Sequence, residues 1–239
     1  MPPEIKIVPD LPDLYRAGAH EFTRCAREAI TSRGRFAVAL SGGSTPKGVY
    51  SLLAAANELP WNKIHFFFSD ERHVPPDNPD SNYRMANESL LSKISVLPQN
   101  VHRIAAELDS ELAASQYEAE LRSFFQLQSL AWPGFDLIML GMGPDGHTAS
   151  LFPGSAALNE NSRWVVANWV EKFQAHRVTF TLPLINHAAE VMFLVAGEDK
   201  SKVLKEVLRG KTQDYPSRRV QPVNGRLLWI VDKAAAKLL

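Results

Sequence analysis

Apolar runs of strand length alternate with segments of helical period along this 239-residue chain, and that alternation leaves few folds open. Strands are expected at Ile5–Val8, Phe36–Leu40, Ile64–Ser69, Phe135–Leu140, Trp164–Val170, Arg177–Leu182, Val191–Ala196 and Leu227–Val231, with a short one at Val101–Ile104. Between them the helical period predicts helices over Leu11–Ser32, Pro46–Ala56, Asn82–Lys93, Ser110–Leu127, Lys200–Arg209 and Lys233–Leu239. Parallel neighbours need a crossover, and a helix on each face of the sheet supplies it. The expectation is an α/β fold, a three-layer sandwich with a mostly parallel central sheet flanked by helices. No Gly/Ser- or Pro-rich linker and no internal repeat divides residues 1–239, so one domain is expected.

Composition removes several function classes. Twenty-six Lys and Arg balance 26 Asp and Glu, which leaves no electrostatic footprint for nucleic acid or an anionic membrane. Hydrophobic residues at 45% and charged residues at 22% are ordinary for a soluble globular protein. No apolar run approaches the roughly 20 residues of a membrane span. The start, Met-Pro-Pro-Glu-Ile-Lys-Ile, lacks a signal-peptide layout, so a cytoplasmic location is expected. Cys25 is the only cysteine, and the seven His are scattered without ligand spacing; neither a cysteine cluster nor a metal is expected.

Chemistry concentrates where strands end. After Phe135–Leu140 comes Gly141-Met-Gly-Pro-Asp-Gly-His147, a glycine-rich turn that delivers Asp145 and His147 two positions apart. In open α/β sheets ligands bind at the carboxyl ends of strands, and imidazole titrates near neutrality. His147 is therefore a candidate general base and Asp145 its partner. The same run matches G-x-G-x-x-G, but Pro144 and Asp145 stand where a dinucleotide pyrophosphate would need a helix N-terminus, and Glu160 is a poor ribose acid. The Phe36–Leu40 strand runs into Ser41-Gly-Gly-Ser-Thr-Pro46, whose amides, hydroxyls and following helix suit a phosphate. It lacks the P-loop spacing, so a monophosphate ester fits better than a nucleotide. Ser69-Asp-Glu-Arg72 closes a third strand, and its charges otherwise read as solvated salt bridges such as Glu71–Arg72 or Asp70–Arg84. Arg177 and Lys200 are two further cations at strand or helix starts, candidates for holding an anionic substrate.

Taken in order, these motifs, with Val74-Pro75, Ser81-Asn82, Arg177-Val-Thr-Phe-Thr-Leu-Pro183 and Gly197-Glu-Asp-Lys200, resemble the 6-phosphogluconolactonases over nearly the whole chain. The resemblance implies a Rossmann-like sandwich and hydrolysis of 6-phospho-D-glucono-1,5-lactone. His147 would activate water, Asp145 would orient it, and Ser41, Gly42, Gly43, Ser44 and Thr45 would bind phosphate with help from Arg72, Arg177 or Lys200. Asp70 would bind a hydroxyl or order its loop. No cofactor is implied; the partner is the small-molecule lactone, and a monomer or weak homo-oligomer is expected. The related glucosamine-6-phosphate deaminases carry a glutamate five positions after the histidine and a tyrosine after Asp-Glu. Here those places hold Phe152 and Arg72, which favours the lactonase. A sugar-phosphate sensor without turnover would need no base. The absence of G-x-S-x-G argues against an acyl-enzyme.

Overall fold

A computed structural model describes residues 2–56, 58–127 and 131–239. Six strands form one sheet in the order β1-β9-β8-β5-β2-β3, every neighbouring pair parallel. They are β1 (Glu4–Val8), β2 (Phe36–Leu40), β3 (Ile64–Phe68), β5 (Leu137–Leu140), β8 (Glu190–Val195) and β9 (Arg226–Asp232). Phe-Ala-Val-Ala-Leu of β2 and Leu-Ile-Met-Leu of β5 are buried at every position. Such continuous apolar runs are what a parallel sheet covered on both faces requires.

A second, three-stranded antiparallel sheet, β4-β7-β6, was not foreseen. It consists of β4 (Asp70–Arg72), β6 (Val165–Val170) and β7 (Ala175–Phe180). Asp-Glu-Arg is a strand only because β7 supplies a partner, Arg72 standing opposite Arg177.

The helices are α1 (Leu11–Arg33), α2 (Ser44–Ala56), α3 (Asn82–Ser89), α4 (Ser110–Phe125), α5 (Leu182–Ile185) and α6 (Ser201–Arg209). Asp10 caps α1 by accepting from the Asp13 amide at 2.9 Å, and Gly34, left-handed at φ 77°, ends it. α1 packs on α2 and over β2 and β9, while α4 lies between the two sheets. Tyr117 of α4 donates to the Phe68 carbonyl and stacks on Phe180 of β7; Phe124 packs on Phe67. Phe193 and Trp229 stack with centroids 3.8 Å apart. Each such buried aromatic contributes roughly 1.5 to 3 kcal/mol.

Some expected elements shrink. Val101–Ile104 makes only an isolated bridge from Val101 to Phe66, and Lys233–Leu239 is one 3₁₀ turn over Ala235–Leu238. The Asn82–Lys93 helix breaks at Leu90 into α3 and a 3₁₀ turn. No helix follows His147: left-handed Gly146, Ala149 and Gly154 turn the chain instead, and Thr148 bridges to Leu151. No described helix is long and apolar enough to cross a membrane.

The strand order positions the site. From β2 the chain moves outward to β3 and then returns to place β5 on the other side of β2. Their carboxyl ends therefore diverge, opening a crevice at this topological switch point.

Candidate active site

Four strand ends meet over that crevice. β2 delivers Ser41–Thr45, β3 delivers Asp70 and Arg72, β5 delivers Gly141–Gly143 and His147, and β8 delivers Lys200. Together they line a cleft of about 240 Å³.

The phosphate-loop candidate is braced from beneath. The hydroxyl of fully buried Tyr50 accepts from the Ser41 amide and donates to its carbonyl, both at 3.0 Å. Burial pushes the Tyr50 phenol up, so it remains a donor. α2 starts at Ser44, two residues before the position the proline suggests, so the first-turn amides of Ser44 and Thr45 border the cleft. Gly42 is required because a β-carbon there would lie 1.8 Å from Asn82 Oδ1. The hydroxyl of Ser41 is covered and has no partner, while its amide and carbonyl are both taken by Tyr50.

The second wall hangs on Glu71, which the sequence presents as one of three solvated charges. It is buried, and its carboxylate accepts from the amides of Arg72, Asn82 and Tyr83 at 2.7 to 2.8 Å and from Ser81 Oγ at 3.0 Å. Burial raises its pKa, and the amides only partly offset that. A carboxylate at the start of α3 faces the positive helix end. It thereby fixes Arg72 and Asn82, both of which line the cleft. Neither salt bridge considered from sequence forms: the Arg72 amide donates to Glu71, Arg72 Nη1 donates to the Asp80 carbonyl at 2.5 Å, and Arg84 pairs with Glu88. The Asp70 carboxylate accepts from Ser150 Oγ at 2.7 Å and Ser69 Oγ at 3.3 Å, and the side-chain Nδ2 of Asn82 donates to the Asp70 backbone carbonyl.

The third wall carries the candidate base. Asp145 Oδ1 lies 2.5 Å from His147 Nδ1, and Asp145 Oδ2 lies 3.3 Å from Lys172 Nζ. Burial alone would push the Asp145 carboxyl up; hydrogen bonds and charge from His147, with Lys172, outweigh it and hold it below the usual range. An ionised carboxylate only accepts, so Nδ1 carries a hydrogen, and in the neutral ring it is Nε2 that holds the lone pair. The imidazole stacks on Phe152 at 4.2 Å between centroids. At its Nδ1–Cε1 edge, a β-carbon at Gly143 would sit 2.1 Å from the ring. His147 lines the cleft while Asp145 lies behind it, lining a separate groove.

Of the expected substrate-binding residues, Ser41, Gly42, Gly43, Ser44, Thr45, Asp70, Arg72 and Lys200 line the cleft. Arg177 does not; it stands opposite Arg72 across the β4–β7 pair, with its guanidinium 5.2 Å from the Phe173 ring. Burial, and then the charge of Arg72, lowers its pKa, and Nη1 is buried without a partner. Lys200 is held by Asp199 at 2.7 Å. Tyr50, Glu71 and Lys172 escaped the sequence reading. Only Glu71 carried a signal, an acid followed ten residues on by the Ser-Asn start of a helix.

The only group of three potential metal ligands among the described residues is Glu21, Cys25 and Glu190, at the opposite end of the sheet. Arg24 and Arg226 already occupy its carboxylates.

A family model described as glucosamine-6-phosphate isomerases/6-phosphogluconolactonase matches residues 9–229. The chain belongs to that family. It is 46% identical to a 6-phosphogluconolactonase of Synechocystis sp., over 89% of this chain and 88% of the relative. It is 42% identical to that of Nostoc sp., over 97% and 96%. The solved structure of 6-phosphogluconolactonase from Trypanosoma cruzi superposes with a TM-score of 0.88 at 30% identity, covering 100% of this chain and 98% of that one. A monomeric glucosamine-6-phosphate deaminase shares the fold at a TM-score of 0.82 and 19% identity, over 99% and 100%. In this chain the residue facing His147 is Phe152, a hydrocarbon ring with no proton to exchange.

Proposed function

We propose that this chain hydrolyses 6-phospho-D-glucono-1,5-lactone to 6-phospho-D-gluconate, the lactone step of the oxidative pentose phosphate pathway. The observation that carries this reading is the Asp145–His147 pair, its free Nε2 at the edge of a cleft floored by a helix N-terminus. Relatives at 46% and 42% identity bearing the lactonase name support it.

In this mechanism water enters between His147 and the lactone carbonyl. His147 Nε2 takes a proton from the water as its oxygen bonds to the carbonyl carbon, and Asp145 stabilises the imidazolium through Nδ1. The tetrahedral oxyanion collapses, the ring C–O bond breaks, and the imidazolium returns its proton to the departing ring oxygen. The amides of Gly42–Thr45 and the α2 terminus hold the phosphate, on a loop that the Tyr50 hydroxyl anchors at Ser41. Arg72 and Lys200 supply positive charge to it, Arg177 adds to that field from its place opposite Arg72, and Arg72 or Lys200 meets the carbonyl oxygen as charge develops. Asp70, fixed by Ser150, binds a sugar hydroxyl. The whole chain acts as one domain, a cytoplasmic monomer or weak homo-oligomer with neither nucleic acid nor membrane as partner.

The nearest alternative is a glucosamine-6-phosphate deaminase. Ring opening there needs an acid beside the imidazole, and Phe152 packs on that ring instead. The deciding experiment compares hydrolysis of freshly made lactone by the wild type, by His147→Ala and in buffer alone. A general base contributes about 10²- to 10⁴-fold. Wild-type acceleration that falls by that factor in the variant is expected. Turnover unchanged in the variant would remove His147 from the mechanism. No acceleration by the wild type, together with ammonia release from the amino-sugar phosphate, would transfer the chain to the deaminases.

A further inference from the structure

The β6–β7 hairpin reaches the base from outside the cleft. Its tip is a 3₁₀ turn, Glu171–Phe173, followed by left-handed Gln174. Glu171 braces the turn, accepting from Trp169 Nε1 at 2.8 Å and from Gln174 Nε2 at 2.8 Å. Two side chains then leave the tip toward the dyad. Phe173 sets its ring edge-on to Phe152 at 5.8 Å, and Phe152 in turn covers the imidazole. Lys172 places Nζ 3.3 Å from Asp145 Oδ2. Both oxygens of Asp145 are therefore engaged, Oδ1 by the His147 ring and amide, Oδ2 by Lys172.

We propose that Lys172 is a positioning residue for the base: it pins the outer oxygen of Asp145 so that the inner one stays on His147 Nδ1, and its charge weakens that carboxylate's hold on the imidazolium. The proposal rests on the lactonase reading for its kinetic readout but not for its geometry.

The logic is electrostatic. A carboxylate shared between an imidazole and an ammonium stabilises the imidazolium less than one facing the imidazole alone. Lys172 thus keeps His147 in its proton-accepting form further down the pH scale. Other charges face the pair as well. Asp70, Arg72 and Lys200 share the cleft with His147; Glu111, Glu171 and His176 line the groove beside Asp145; Arg177 lies over Phe173. Among the described residues only Lys172 forms an ion pair with Asp145 besides His147.

The test is the acidic limb of kcat/KM against pH in Lys172→Met, Lys172→Glu and Lys172→Arg, alongside NMR titration of the His147 imidazole in the ligand-free proteins. Lys172 is more than half exposed, so the effect is that of a solvent-screened pair. For Lys172→Met both the limb and the imidazole midpoint should rise by about 0.2 to 0.7 pH unit. The rise should be larger in Lys172→Glu and absent in Lys172→Arg, with KM on the plateau unchanged. A merely structural lysine would lower kcat equally at every pH and leave the midpoint in place. That result, or unmoved midpoints in both Lys172→Met and Lys172→Glu, overturns the proposal. Shifted imidazole midpoints in a protein that does not hydrolyse the lactone would uphold the positioning role and refute the reaction instead.

Discussion

Replacing Gly143 with alanine should disable the site while sparing the fold. The added β-carbon would lie 2.1 Å from both Cε1 and Nδ1 of His147 and 2.9 Å from Asp145 Oδ1. Ordinary contact begins near 3.4 Å, so the ring must retreat by about 1.3 Å or the loop must open. Retreat is blocked on two sides, by the Nδ1 hydrogen bond to Asp145 and by the face of Phe152. The loop is closed by the Gly143 amide on the His147 carbonyl at 2.9 Å and the Gly146 amide on the Gly143 carbonyl at 3.0 Å. Gly143 is not in the left-handed region, so alanine meets no backbone penalty. The strain therefore falls on the base. A displacement of about 1 Å in a catalytic group can cost on the order of 10²-fold in rate, and complete loss of a general base costs up to about 10⁴-fold. We expect kcat for Gly143→Ala to fall by about 10²- to 10³-fold over spontaneous hydrolysis, with KM within a few-fold of wild type and the thermal midpoint nearly unchanged. Gly134→Ala, where nothing lies within 4 Å of the new methyl, is the control and should match wild type. A Gly143→Ala enzyme retaining a third of wild-type kcat would show that the ring tolerates displacement and that its tight seat is not part of catalysis.

Two further outcomes follow from particular contacts. Arg72→Ala should raise KM by about 10- to 100-fold, the value of a hydrogen bond to a charged group, with a smaller effect on kcat; a KM unchanged within error would move Arg72 out of the site. At the far end of the sheet, burial and then Glu21 raise the Glu190 pKa, while hydrogen bonds from Arg24 and Arg226 hold Glu21 low despite its burial. A carboxyl with a raised folded pKa makes the native state bind the extra proton, so stability falls as pH rises from the unfolded carboxyl value, about 4.3, toward neutrality. Urea unfolding at pH 5 and pH 8 should show that loss in the wild type and lose its Glu190 component in Glu190→Gln; an identical difference in both proteins would refute the assignment.

What could be read from the sequence was what is built locally. Asp145 and His147 lie two residues apart, and the glycines that shape their turn lie in the same stretch. A sequence window therefore contains the whole candidate base, Phe152 included, apart from Lys172. The parallel sheet was legible for the same reason, since β2, β5 and β8 announce themselves as uninterrupted apolar runs. The side that carries the candidate anion-binding residues is different in kind. Asp-Glu-Arg becomes β4 only against β7, about a hundred residues on, and Glu71 is buried only because the amides of α3 turn toward it. From sequence alone those three charges look solvated, and the salt bridges they suggest do not form. Arg177 is legible in the sequence only as a cation at a strand start; the antiparallel register sets it directly opposite Arg72, on the same face of the small sheet, while Arg72 alone of the two lines the cleft. Two arginines on neighbouring strands repel each other, and the lowered pKa of Arg177 records both that repulsion and its burial. An incoming phosphate dianion would relieve the repulsion. The long-range pairing that hides this arrangement from the sequence thus gathers two guanidiniums on one face of the small sheet, one of them, Arg72, on the cleft wall.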